Sequence, residues 1–164
     1  MKRVMSLIVV MVAILFSQPA FAQMGFQVSE PVLTKVSEVQ QQGVVGVAAV
    51  GFKVIPLQAF TVPAGQLGPQ AWWALDEEHW FRALFTVYGT GTFYTRVKVT
   101  DVKTGQFIRF PKTGPYNVSD GEYEIHSVLS VSGSPVNLPR QFILTYEFKV
   151  GTAWKAVSTK ILLR

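Results

Sequence analysis

From Trp80 to Phe110 apolar and polar side chains alternate with a period of two. Phe81, Ala83, Phe85 and Val87 are apolar, and Arg82, Thr86 and Tyr88 fall between them. Successive side chains of an extended chain point to opposite faces, so this alternation predicts a half-buried strand. Gly89-Thr90-Gly91 supplies the backbone freedom for a tight reversal, after which Phe93, Thr95, Val97 and Val99 alternate with Tyr94, Arg96, Lys98 and Thr100. Lys103-Thr104-Gly105 predicts a second turn, because glycine takes the positive φ such turns need, and Gln106 to Phe110 resumes the pattern. Strand, turn, strand, turn, strand is a meander, and the remaining segments have to cover its apolar face.

The flanking segments extend the all-β reading. After Pro31, Val32, Val36 and Val39 are spaced for a short helix to Gln42, yet the β-branched content and the alternation Val32, Thr34, Val36 place an edge strand there. Gly43 to Phe60 is an apolar run broken by Gly43, Gly46 and Gly51, which predicts a central strand buried on both faces. Thr61 to Gln70 carries Pro63, Gly65, Gly68 and Pro69 and predicts a loop, and Ala71 to His79 predicts one or two turns of helix. Pro111 to Asp120 predicts a second loop, followed by a strand containing Tyr123, Ile125, Leu129 and Val131. Gly133 to Pro139 predicts a third loop. Phe142 to Val150 and Trp154 to Leu163 close the chain as two strands around a Gly151-Thr152 turn. About seven to nine antiparallel strands and no strong helix predict one sandwich, with a small β-barrel as the alternative closure.

The N-terminus changes the picture of where this domain works. Lys2-Arg3 precedes an apolar stretch from Val4 to Phe16, and Ala20-Phe21-Ala22 has the small-x-small form of a signal-peptidase site. The expectation is a cleavable signal peptide over 1–22, cut between Ala22 and Gln23, with a β-sandwich domain over 23–164. The compact signal suggests a bacterial source and export to the periplasm, the cell surface or the medium. Removing 22 residues from 164 leaves 142, the size of one domain. The sequence has no cysteine, so an exported domain of this kind depends on packing, for which 12 Phe, 5 Tyr and 4 Trp are available. Without Lys2 and Arg3 the formal charge falls from +5 to +3. The basic residues are scattered along the strands without a run, so the charge reads as solubility with attraction to anionic cell-surface polymers, and no nucleic-acid partner is expected.

Candidate chemistry is sparse. Asp76, Glu77, Glu78 and His79 form the densest polar cluster, but consecutive residues rarely converge on one metal centre. No metal or other cofactor is expected. Two histidines and no serine in a glycine-flanked elbow leave no nucleophilic triad, so no enzyme activity is expected. Trp72, Trp73 and Trp80 beside these carboxylates suggest a stacking platform for sugars or an anchor for a protein, because flat apolar faces and nearby acceptors serve both. The competing reading is that one or two of the three tryptophans cap the open end of the core.

Asp120-x-x-Tyr123, with Ile125 two residues on, resembles the tyrosine corner of immunoglobulin-like domains, which implies a tyrosine bonding back across a corner and a core residue at Ile125. Ile125 stands where those domains carry a cysteine. The expected function is therefore that of an exported, non-enzymatic binding or accessory protein of the bacterial cell envelope, built as an immunoglobulin-like sandwich. Its contact surface would be Trp72, Trp73, Asp76, Glu77, Glu78, His79 and Trp80, its partner a protein or a surface polysaccharide, with no membrane span after signal removal. The alternatives are a fibre or pilus-like subunit assembling by strand addition through Gly43 to Phe60 or Trp154 to Leu163, and a carrier for a small apolar ligand.

Overall fold

The computed structural model describes residues 24–37, 51–63, 66, 72–135 and 138–164. The signal-peptide expectation for 1–22, its cleavage site at Ala20, Ala22 and Gln23, and the 43–50 part of the apolar run lie outside the described residues. The described chain is all-β: β1 (Gly25–Val28), β2 (Val32–Ser37), β3 (Lys53–Pro63), β4 (Trp72–Trp73), β5 (Glu78–Tyr88), β6 (Gly91–Asp101), β7 (Phe107–Arg109), β8 (Thr113–Val118), β9 (Gly121–Ser132), β10 (Arg140–Val150) and β11 (Ala153–Leu163).

These strands form two sheets. The five-stranded sheet has the order β1-β9-β5-β3, with β2 continuing the β1 edge along β9; the six-stranded sheet has the order β4-β11-β10-β6-β7, with β8 also on β6. Every ladder is antiparallel except β4 on β11. The gap between β1 and β2 follows from Pro31, which has no N–H to give to the ladder. Ser29 bridges it: its N–H donates to the Val128 carbonyl and its hydroxyl accepts from the Val128 N–H, both at 2.8 Å.

Periodicity located the inward residues but not all of the pairing. Phe81, Ala83, Phe85 and Val87 are fully buried, as are Phe93, Thr95 and Val99, with Val97 nearly so. The β5–β6 turn, however, carries the chain from one sheet to the other, so the expected meander is half right: β6 pairs with β7 but not with β5. Gly89 takes φ 82° at this crossing, and its N–H donates to Asp120 Oδ1 at 2.7 Å. An alternating strand shows which side chains face inward and is silent on which strand lies beside it.

Three local expectations are corrected. The described part of the apolar run is not a central strand buried on both faces: it enters β3, which lies at the edge of the five-stranded sheet with Leu57 exposed. Ala71 to His79 is not helical where it is described. Trp72–Trp73 pairs with Leu162–Leu163, the Arg164 N–H donates to the Trp73 carbonyl at 3.0 Å, and Asp76 turns the chain with φ 59°. The Pro111–Asp120 loop contains β8, whose Gly114 and Pro115 are tolerated because it is an edge strand.

The space between the sheets is filled with aromatic rings. Phe85 meets Phe93, Tyr123 and Phe148 at centroid distances of 5.4, 5.6 and 5.1 Å, and Phe81 stacks on Tyr146 at 4.3 Å. The Tyr146 hydroxyl donates to the Phe81 carbonyl at 3.0 Å and lies 2.8 Å from the Ser127 hydroxyl, pinning one sheet to the other. Burial pushes the Tyr146 phenol far above its ordinary range, so it remains a donor. At the β8–β9 corner, Tyr123 bonds back as expected: its hydroxyl donates to the Ser119 carbonyl and accepts from the Ser119 N–H, each at 3.1 Å, and Ile125 is fully buried.

Candidate binding surface

The expected Trp72–Trp80 surface divides into a buried half and an accessible half. β4 and β5 approach each other at one end of the sandwich, and alternation turns Trp73 and His79 inward, where both are 0% exposed and their rings stack at 4.4 Å. They close the end of the core and present nothing to a partner. Both His79 nitrogens lack a hydrogen-bond partner in the described structure, and Glu77 approaches Nε2 at 3.8 Å. Burial lowers the His79 pKa from its ordinary value of 6.5, against a smaller upward pull from the Glu77 carboxylate. An imidazole kept neutral inside a core plug is a structural group.

The residues left accessible are Trp72, Asp76, Glu77, Glu78 and Trp80, but they do not share one face: Trp72 lies on the outer side of the six-stranded sheet through its pairing with Leu162, and Trp80 on the outer side of the five-stranded sheet. Trp72 is 41% exposed beneath the Arg164 guanidinium, 4.7 Å from the ring centroid. Asp76 to Glu78 are exposed around the turn. Trp80 faces outward on the five-stranded sheet and stacks on His126 at 5.3 Å. Arg82, one step along the same face, lies over both Trp80 and Phe60, at 5.7 and 5.6 Å. Its guanidinium donates to Glu124 Oε1 from Nε at 2.9 Å and from Nη2 at 2.6 Å. The result is a half-buried aromatic patch with fixed charges, a surface that supplies both stacking and hydrogen bonds to a ligand. Phe60, Arg82, Glu124 and His126 joined it only through strand register, since Arg82 is opposite both Phe60 and His126.

No group of three or more His, Asp or Glu side chains among the described residues is placed to hold a metal ion. His79 and His126 point to opposite faces of the five-stranded sheet, one buried in the core and one on the outer side. Among the described residues no helix is long and apolar enough to cross a membrane.

A second surface was missed by reading the chain linearly. On the outer face of the six-stranded sheet, Glu147 is opposite Arg96, and Lys98 is opposite Arg109. The Glu147 carboxylate is held by Arg96 Nε at 2.5 Å and Arg109 Nε at 3.4 Å, with Lys98 Nζ at 4.0 Å. Arg96 stacks on Trp154 at 3.9 Å, Lys112 on Tyr94 at 3.8 Å and Arg109 on Phe107 at 4.5 Å. The signal was present in the sequence: Arg96 and Lys98 are two apart, as are Glu147 and Lys149, so in extended chain each pair shares a face.

No protein-family model matches the chain, and a search of curated proteins finds no match. What the described residues define is an all-β domain of two packed sheets.

Proposed function

We propose that this chain is an exported, non-enzymatic binding or accessory domain of the bacterial cell envelope or extracellular space, with an immunoglobulin-like sandwich as its scaffold. The strand neighbours support that scaffold. In one sheet the β10–β11 hairpin lies beside β6 and then β7 and β8, and in the other β5 lies beside β9, the neighbours expected of strands G, F, C and C′ and of B and E. β3 then takes the place of A, and β1 with β2 occupies the edge where D would run. The corner tyrosine departs from the pattern, since by this count it opens strand E instead of F.

The observation that carries the binding reading is the outer patch of Trp80, stacked on His126 and flanked by Arg82, Glu124 and Phe60. The occupant is a protein segment or a carbohydrate. The test is a Trp80→Ala variant, with Trp72→Ala measured separately, assayed by partner pull-down and on an array of cell-surface glycans. Loss of the captured ligand with an unchanged melting temperature is expected. Unchanged capture in both assays would overturn the assignment of this surface.

A second reading is favoured by one edge. β11 is laddered to β10 along its length, but on its other side only Leu162 and Leu163 pair with β4 among the described residues. The stretch from Trp154 to Lys160 has no further backbone ladder among the described residues, but it lies against β3, where Lys155 Nζ donates to the Val54 carbonyl at 2.8 Å, so a second copy adding there by backbone pairing would displace β3. The β3 edge is less suited, because Pro56 and a register shift between Pro56 and Gln58 interrupt it. Concentration-dependent light scattering distinguishes this reading: a ladder of oligomers supports strand addition, and a monomer at every concentration removes it.

A further inference from the structure

The modest net charge of the chain conceals a strong division between its two sheets. β6, β7, β8, β10 and β11 of the six-stranded sheet with the connections among them, 91–118 and 140–164, contain ten Lys or Arg residues and two acids, Asp101 and Glu147. The rest of the chain after Ala22 contains three basic residues and eight acids. Formal charges of +8 and −5 thus make up the +3 of the chain without its first 22 residues. Both acids on the basic side are buried and already paired, Asp101 with Arg140 and Glu147 with its three cations. The outer face carries Arg96, Lys98, Arg109, Lys112, Lys149 and Lys160 with no second carboxylate on its strands to balance them.

We propose that this face binds an acidic polysaccharide through its carboxylate groups. Glu147 is an intramolecular example of the chemistry: one carboxylate gripped by two guanidiniums beside a lysine. Neighbouring strands are about 4.8 Å apart and alternate residues on one strand about 6.7 Å apart, so the cations form a broad field suited to a chain of repeated negative charges. The aromatic rings argue for a polymer without bases. Trp154, Tyr94 and Phe107 each carry a cation over one face, at 3.9, 3.8 and 4.5 Å, so each has at most one face left for the base stacking that single-stranded nucleic acid uses. Covering the rings also fixes the cations at defined positions on the sheet.

The inference rests on reading the chain as a binding domain, and it does not depend on the Trp80 patch. The test measures binding of the full chain to polygalacturonate, with neutral dextran, oligo-deoxythymidine and phosphatidylglycerol vesicles as competing probes. Polygalacturonate is expected to bind in preference to the other three, and to lose at least about tenfold in affinity between about 50 and about 200 mM salt. Lys112→Glu with Lys149→Glu is expected to weaken it by at least about tenfold at an unchanged melting temperature. Lys35→Glu with Lys53→Glu, an equal charge change on the other sheet, and Trp80→Ala, on the outer side of the five-stranded sheet, are both expected to leave it intact. Absence of polygalacturonate binding, equal binding of dextran, tighter binding of the oligonucleotide or the vesicles, or equal loss in the Lys35, Lys53 variant would each overturn the proposal. Retention in the Trp80 variant separates this face from the one assigned above.

Discussion

His79 shows what a single residue does in this fold. Its ring completes the plug over the open end of the core by stacking on Trp73, yet both of its nitrogens are buried without a hydrogen-bond partner in the described structure. A buried polar group without a partner costs stability, so His79→Phe, which keeps the stack and removes the nitrogens, is expected to stabilise the protein by about 1 kcal/mol in chemical denaturation. The pH dependence follows from the same burial. The folded-state pKa is lowered, so protonation favours the unfolded chain. The contribution of His79 is complete above its ordinary value of 6.5 and declines as the pH falls below that value toward the folded-state pKa. Melting temperatures of the wild type against His79→Phe should converge above neutrality and separate on the acid side, after allowing for the constant gain. Tyr146 acts in the opposite sense: Tyr146→Phe keeps the stack on Phe81 but leaves the Phe81 carbonyl without its hydroxyl donor. It is expected to cost about 1 to 2 kcal/mol.

The elements were legible to the extent that their faces alternate. In β5, β6, β9 and β10 the inward residues follow from the sequence pattern alone, and Phe81, Phe85, Ile125 and Phe148 lie in the core where that pattern puts them. Pairing was less legible. Gly89 to Gly91 has the chemistry of a hairpin turn, but it crosses between sheets because both β5 and β6 have apolar faces to bury against each other. β4 and β8 were missed for another reason. Each gains its backbone partners from a strand distant in sequence, and β8 carries Gly114 and Pro115, which read locally as loop. Gly121 tests the start of β9. Its φ is 152°, and a Cβ there would lie 2.7 Å from the Ser37 carbonyl oxygen on β2. Gly121→Ala is expected to cost about 1 to 3 kcal/mol and to loosen β2 first, read as faster amide exchange over Val32–Ser37 than over β10. Gly151→Ala, at φ 59° with open space around it, is expected to cost only about 1 kcal/mol.

At the scale of the whole molecule, two packed sheets sort the side chains by chemistry as well as by polarity. The core takes the aromatic residues, the five-stranded sheet takes most of the acids with the Trp80 and His126 stack, and the six-stranded sheet takes most of the bases. Of the candidate contact surface, the tryptophans and carboxylates stood out in the sequence by density alone. Which tryptophan is core and which is accessible depends on the inward turn of Trp73 and the outward turn of Trp80, and that required the two strands to be placed. The basic face was invisible to a search for charge runs because its members come from separate strands. Its cations become neighbours only when β6, β7 and β10 lie side by side.

The most direct test that the two outer faces are chemically distinct binding surfaces is a resonance-by-resonance titration of the isotope-labelled protein with polygalacturonate. Perturbations confined to Tyr94–Lys98, Phe107–Lys112 and Glu147–Trp154, fading as salt is added, are the predicted result. Perturbations centred on Trp80, Arg82 and His126, or spread evenly over both sheets, would contradict it.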